Sequence, residues 1–298
     1  MNSYRLLVTG ASGLLGEKVC REALRDERFS SVLGTFLTNS PVAAPYETAY
    51  CDLNSQMQVC ALIEHFRPDA VIHCAAMSSP DMCEKNPAAA RRIVFDATCF
   101  LAKLCRQRSI KLVSVSSDMV FGGTDAPYRE EDPVSPVNLY GRLKAEGERG
   151  VLNECSENLV CRLPLLFGAG SGFSKSFIQG WLEALRAGGE VKAFYDEFRT
   201  PVEVTRAASG MLAFCSERTG VFHLGGRERI SRYGFCLRLA QVFGFEKGLI
   251  RASSQRDVVT PAKRPADVSF DSTKAFGCGY DPGTLTECLE EIRDRCGE

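Results

Sequence analysis

A short apolar strand that runs directly into a glycine turn and then an amphipathic helix constrains this chain more than any other feature. Arg5-Leu6-Leu7-Val8-Thr9 reads as a buried strand and Gly10-Ala11-Ser12-Gly13-Leu14-Leu15-Gly16 as the turn, while Leu15, Val19, Ala23 and Leu24 mark a helix face. The alternation then continues. Strands are expected at residues 31–37, 69–74, 111–116 and 159–163, separated by helices at 54–66, 88–108 and 140–155, with Asn54 as the cap of the first of these. Strands alternating with helices at this spacing connect through right-handed crossovers into a parallel sheet covered on both faces. The expected class is therefore α/β, a doubly wound parallel sheet.

From Gly168 onward the texture changes: Gly168-Ala169-Gly170-Ser171-Gly172 reads as a flexible join, a helix is expected at 174–187, and shorter elements follow. The reading is a dinucleotide-binding domain of the Rossmann type over residues 1–165 and a smaller substrate-binding region over 166–298. Val221-Phe222-His223-Leu224 is expected to return to the main sheet, so that residues 221–226 belong with the first domain.

With 36 Lys and Arg against 37 Asp and Glu, the chain has no basic surplus to suggest a nucleic-acid or anionic-membrane surface. A small-molecule substrate is the better expectation. The 14 cysteines are scattered without a Cys-x-x-Cys pair, and several sit inside apolar runs such as Val71-Ile72-His73-Cys74-Ala75. That spacing argues against a disulfide framework or a metal site and for reduced, buried thiols. Leu6-Leu7-Val8 is too short for the apolar centre of a signal peptide, and no stretch approaches the roughly 20 apolar residues of a membrane span. A cytoplasmic location is expected.

Gly10, Gly13 and Gly16 have separate tasks: the first allows the tight turn, the second lets the backbone approach a pyrophosphate, and the third permits close packing of the helix on the sheet. Ser12, Leu14 and Leu15 complete the turn. At the end of the second strand, Gly34-Thr35-Phe36-Leu37-Thr38-Asn39 carries no charge, so no carboxylate there repels a 2′-phosphate and no arginine demands one. NADP(H) is preferred on this reading, with NAD(H) admitted. Asp52-Leu53 is placed to reach adenine, helix capping being the alternative for Asp52.

Tyr140 and Lys144 lie four residues apart on an expected helix and so share a face, downstream of Val115-Ser116-Ser117. A phenol titrates near 10 and exchanges protons poorly at neutral pH, but a neighbouring ammonium favours phenolate. Ser117 would hold the substrate oxygen. Ser117 and the glycine turn both follow strand ends, which brings them to one edge of the sheet.

Taken together these residues resemble the extended short-chain dehydrogenase/reductase family, and within it the dTDP-4-dehydrorhamnose reductase-like group. The resemblance includes Arg67-Pro68-Asp69 through Cys74-Ala75-Ala76, Ser116-Ser117-Asp118-Met119-Val120-Phe121-Gly122-Gly123-Thr124, Pro136-Val137-Asn138-Leu139-Tyr140-Gly141, and Arg264-Pro265 with Asp271-Ser272-Thr273-Lys274. It implies Ser117, Tyr140 and Lys144 as the catalytic trio. Ala75, Ala76 and Met77 would line the nicotinamide side, and Lys144 would also hold the nicotinamide ribose. Reduction of a nucleotide-linked 4-keto sugar would follow, with Tyr140 delivering the proton and Asp118, Met119, Leu165, Arg199 and Arg264 facing the substrate. A homodimer is admitted; nucleic-acid and membrane partners are not expected.

Three residues depart from the group's pattern. Met119 stands where a tyrosine is usual and Leu165 where a tryptophan is usual, and Asp96 replaces an asparagine, which would add a charge beside the catalytic helix. The same motifs also resemble the regulatory beta subunit of methionine adenosyltransferase, which implies a non-catalytic role beside a partner enzyme. An epimerase or dehydratase of the same family is a third reading, although Asp118-Met119 supplies only one of the acid/base carboxylates that dehydratases use. His65, His73 and His223 are read as structural, and Trp181 as packing a helix of the smaller region, with a substrate-facing role as the alternative.

Overall fold

The computed structural model describes residues 4–41, 44–170 and 174–296. Its first half runs β1 (Tyr4–Thr9), α1 (Leu14–Ala23), β2 (Phe29–Phe36), β3 (Glu47–Tyr50), α2 (Gln56–Phe66), β4 (Ala70–His73), α3 (Pro80–Lys85), α4 (Pro87–Ala90), α5 (Ala97–Gln107), β5 (Lys111–Ser117), α6 (Leu139–Glu154) and β6 (Leu159–Leu163). The second half adds β7 (Leu166–Phe167), α7 (Phe177–Arg186), β8 (Val191–Phe194), β9 (Phe198–Arg199), β10 (Val202–Glu203), α8 (Val204–Cys215), β11 (Gly220–His223), β12 (Ile230–Ser231), α9 (Arg232–Phe243), β13 (Ile250–Ser253), α10 (Thr273–Gly277) and α11 (Leu285–Cys296).

Seven strands form one parallel sheet in the order β11-β6-β5-β4-β1-β2-β3. This is the doubly wound α/β architecture. The central strands β1, β4, β5 and β6 are largely buried on both faces, as a sheet covered twice requires. Leu6, Val8 and Ile72 face the layer built with α1 and α8, whereas Leu7, Val71 and Leu112 alternate to the layer built with α2 and α5. Residues 220–223 pair with β6 and so close the sheet at one edge. A separate apolar core joins α7, α9 and α11 to β8.

Two local expectations change. The helix expected at 88–108 is interrupted by a π turn over Arg91–Asp96, because one extra residue per turn still leaves an apolar pattern that reads as continuous helix. The cap of α2 is Ser55, whose hydroxyl accepts from Gln58 N at 3.4 Å; Asn54 instead donates to Asp52. In the expected join, Ser171 and Gly172 lie outside the described residues. The 13 described cysteines are free thiols. Burial pushes those in the two sheet cores upward, Cys105 to about 12, so they behave as small hydrophobes. No described helix is long and apolar enough to cross a membrane.

Candidate functional site

Strand order reverses between β1 and β4, and a cleft of about 1640 Å³ opens beyond the carboxyl ends of these strands. Ligands of open parallel sheets bind at this switch point. The cleft exceeds the roughly 300–1,000 Å³ of an ordinary small-molecule pocket, so it has room for two ligands side by side.

At one end lies the glycine turn. Gly10 has φ +72°, and a Cβ there would stand 2.8 Å from the Ala75 backbone, so the turn passes against the start of the β4 loop only because the side chain is missing. A Cβ on Gly16 would run into the Gly10 carbonyl, which is how α1 comes down on the sheet edge. Gly13 is the N-cap of α1 and has no capping side chain, leaving the first N–H groups of the helix open. Ser12, Leu14 and Leu15 line the cleft beside it.

Thr35 closes the far side of this end: it is fully buried, and its carbonyl accepts from Ala11 N at 2.8 Å. Asp52 and Leu53 also line the cleft, but Asp52 Oδ1 accepts at 2.9 Å from both the backbone N and the side-chain amide of Asn54. Asp52 is thus held in an Asx turn next to the helix cap. His73 tightens the floor through Thr9 Oγ1 at 2.7 Å and Thr98 Oγ1 at 3.0 Å. Burial, with the Lys144 charge adding, pushes it down to about 3, so it is a neutral structural histidine. Ala75, Ala76 and Met77 follow β4 and line the middle of the cleft.

Ser117 ends β5, and Tyr140 and Lys144 occupy successive turns of α6, which Asn138 caps by accepting from Gly141 N at 2.9 Å. All three face the middle of the cleft. Lys144 Nζ donates to Val115 O at 2.9 Å and lies 5.9 Å from the Tyr140 ring centroid. The phenol is not lowered as the neighbouring ammonium led one to expect. Burial, then the Asp118 charge, holds Tyr140 above its ordinary value. Burial also pushes Lys144 down to about 8, which weakens the charge that was to favour phenolate. The tyrosine is therefore a firmly protonated acid, suited to giving a proton to an oxygen that becomes negative.

The Ser117 hydroxyl accepts from Met119 N at 3.2 Å and donates to Asp118 Oδ1 at 2.9 Å. Behind it, Arg199 Nε stands 3.3 Å from Asp118 Oδ2, and Arg199 Nη2 stands 3.4 Å from Glu197. Arg199 is only 2% exposed, and its Nη1 donates to Phe198 O. It borders the cleft, as expected of a substrate-side residue, and its charge is shared with the carboxylates of Asp118 and Glu197. Arg264 borders the cleft but pairs with Asp81 at 2.8 Å, and Met119 and Leu165 line the wall between. Asp96 is exposed on the π turn with Arg91 3.9 Å away, so its charge points to solvent and away from Tyr140. His223 is buried against Arg162 and the Tyr128 carbonyl.

Sequence reading missed Arg232 and Lys192, which line the same cleft, and Trp181, read as packing a helix with a substrate-facing role as the alternative, borders the cleft as well as the core. No motif marks Arg232; its neighbours Phe177 and Trp181 come from another helix.

The family model described as "RmlD substrate binding domain" matches residues 4–294. The chain belongs to this family. As an RmlD-family chain it is an extended short-chain dehydrogenase/reductase in fold, and the dTDP-4-dehydrorhamnose reductase-like resemblance read from its sequence stands. It is 33% identical to the probable low-salt glycan biosynthesis reductase Agl14 of Haloferax volcanii, over 96% of each chain. It is 34% identical to methionine adenosyltransferase 2 subunit beta of Xenopus tropicalis, over 94% of this chain and 84% of the other. Among solved structures, a hypothetical dTDP-4-dehydrorhamnose reductase from Sulfolobus tokodaii matches with a TM-score of 0.81 and 30% identity, over 92% of this chain and 94% of that one.

Proposed function

We propose that this RmlD-family chain is an NAD(P)H-dependent reductase of a nucleotide-linked 4-keto sugar. The observation that carries the reading is that Ser117, Tyr140 and Lys144 open on the same cleft as the Gly10–Gly16 turn. The family relationship to a probable glycan biosynthesis reductase supports it.

The residues present fit a dinucleotide. Gly10, Gly13 and Gly16 leave a cradle that side chains would fill, at the open N-terminus of a ten-residue helix that attracts a pyrophosphate. From Thr35 to Thr38 the cleft offers neither a carboxylate to repel a 2′-phosphate nor a cation to hold it. NADPH and NADH are both admitted on this ground among the described residues. When bound, the reduced nicotinamide supplies a hydride.

Tyr140 gives its proton to the substrate oxygen as negative charge develops there. Ser117 orients that oxygen once its hydroxyl turns from Asp118. Lys144 commits one N–H to Val115 O and keeps two donors for a ribose hydroxyl. Loss of reduced-nicotinamide absorbance with a panel of nucleoside-diphosphate keto sugars tests the reading. Turnover by the wild type and not by Tyr140→Phe supports it; equal turnover by both rejects the mechanism.

A second reading follows from the kinship with methionine adenosyltransferase 2 subunit beta: a dinucleotide-binding subunit that serves a partner enzyme. Mixing the purified chain with the methionine adenosyltransferase of its own host distinguishes the two. A stable complex combined with no keto-sugar turnover favours the subunit role.

A further inference from the structure

Beneath the cleft a line of buried hydrogen bonds runs from the sheet to α5, and chemistry fixes its direction. Thr98 Oγ1 stands 2.9 Å from Val94 O and 3.0 Å from His73 Nε2, and His73 Nδ1 stands 2.7 Å from Thr9 Oγ1. A carbonyl can only accept, so the single hydroxyl proton of Thr98 goes to Val94 O. Thr98 must then accept from His73, which puts the ring proton on Nε2. On a neutral imidazole this leaves Nδ1 as an acceptor, and Thr9 donates to it. The Thr9 oxygen in turn accepts from Ala75 N at 3.3 Å. Every link thus points the same way, from the Ala75 amide through Thr9, His73 and Thr98 to the Val94 carbonyl. His223 has the opposite arrangement: its Nδ1 lies 3.1 Å from Tyr128 O and its Nε2 3.2 Å from Arg162 Nη1, which places the proton on Nδ1.

The ends of the line serve different parts of the site. Ala75 lines the cleft, and its backbone stands 2.8 Å from where a Cβ on Gly10 would be, so it also braces the glycine turn. Val94 belongs to the π turn over Arg91–Asp96 and shares an apolar cluster with Tyr140 and Leu143 of α6, while its neighbour Ile93 lines the cleft. Gly147 of α6 comes down on the same carbonyl: a Cβ there would sit 3.7 Å from Val94 O and 3.8 Å from Thr98 Cγ2. Thr9, His73, Val94 and Thr98 are each at most 4% exposed. In such surroundings bonds in series polarise one another and an unpartnered member is costly, so the line holds or fails as a unit.

We propose that His73 is a positioning residue: with Thr9 and Thr98 it locks the Ala75 loop of the dinucleotide site to the π turn packed behind Tyr140, and so sets the separation between the cofactor and the proton donor. The proposal rests on the reductase reading above and deepens it. The test is a cycle of Thr9→Val, Thr98→Val and the double variant, with Thr98→Ser as the conservative control. Valine keeps the branched shape and deletes the hydroxyl; serine keeps the hydroxyl and deletes the methyl. The readouts on the full chain are NADPH affinity, from nicotinamide fluorescence, and kcat and KM with a keto sugar that the wild type reduces.

Thr98→Val, although the change is on α5, should weaken NADPH binding by about two- to tenfold, the factor that one hydrogen bond represents. It should lower kcat with little change in KM for the sugar, since what it disturbs is the alignment of the reacting groups. Thr98→Ser should restore both, and the double variant should be no worse than the weaker single one, because Thr9 and Thr98 act through the same histidine. Unchanged affinity and kcat in Thr98→Val, factors that multiply in the double variant, or a serine variant that behaves like the valine one overturns the proposal. If the valine variants do not fold, ring-nitrogen NMR shifts of the three histidines in the wild type decide, with His73→Gln assigning the resonance. His73 should be neutral with its proton on Nε2 and His223 neutral with its proton on Nδ1; a His73 proton on Nδ1 breaks the line and rejects the proposal. Coupled loss of NADPH affinity without turnover of any keto sugar keeps the link through His73 and rejects the reductase reading; turnover that Thr98→Val leaves untouched does the reverse.

Discussion

Arg199 Nε faces Asp118 Oδ2 at 3.3 Å with both side chains almost wholly out of water, and Asp118 in turn receives the Ser117 hydroxyl at 2.9 Å. The buried Arg199 charge is thereby linked through Asp118 to the Ser117 hydroxyl that faces the cleft. Burial raises Asp118 to about 6, with the Arg199 charge opposing. The sign follows from linkage: the folded protein holds a proton that the unfolded chain has lost between about pH 4 and 6, so stability falls as pH rises through that window.

Removing the arginine leaves an uncompensated buried carboxylate, and Arg199→Met should destabilise by about 3–5 kcal/mol at pH 8. At pH 5 the variant can protonate Asp118, so the loss should be smaller there. Denaturant unfolding at the two pH values checks this. A loss that is the same at both would show that Arg199 stabilises by packing and that its charge has no part.

Tyr140 is a buried phenol held above its ordinary value by burial and by the Asp118 charge. Tyr140→Phe removes the acid and leaves the ring, so fold and cofactor binding should persist while kcat falls by roughly 10²–10⁴. Nicotinamide binding and turnover measured on the same sample separate these effects. A variant that loses both together would point to a packing role.

Lys144 gives a pH signature of a different kind. Burial lowers it from 10.5 to about 8, so the unfolded chain binds a proton that the folded protein has released across that interval. Its contribution to stability therefore rises with pH between these values, while a reaction that needs the ammonium fades above about pH 8. Profiles of kcat/KM for wild type and Lys144→Met test this. The alkaline limb should be present in the first and missing from whatever activity the second retains.

Much of this site was legible because its residues are local in sequence. Gly10, Gly13 and Gly16 lie within one turn and Tyr140 and Lys144 within another, and strand alternation follows directly from a sheet buried on both faces. What escaped depends on distant partners. The pairing of Arg199 with Asp118 exists only because the fold brings β9 against the end of β5. Arg232 carries no motif, and the rings it packs against come from α7. The π turn at Arg91–Asp96 is not marked by any residue pattern, and Asp96 at its end is exposed beside Arg91.

The glycine turn offers a test that bypasses chemistry. Gly10 combines φ +72° with an approach in which a Cβ would stand 2.8 Å from Ala75 Cα and N. Alanine there meets two penalties: about 1–2 kcal/mol for the left-handed backbone, and displacement of the β4 loop that carries Ala75. Because Ala75 also lines the cleft, Gly10→Ala should weaken dinucleotide binding more than it lowers stability. Gly188 is the matched control: its φ is also +72°, but a Cβ there meets nothing within 4 Å. Gly188→Ala should show the backbone penalty in thermal unfolding with dinucleotide affinity intact. Similar affinities in the two variants would mean that the turn does not shape the dinucleotide site.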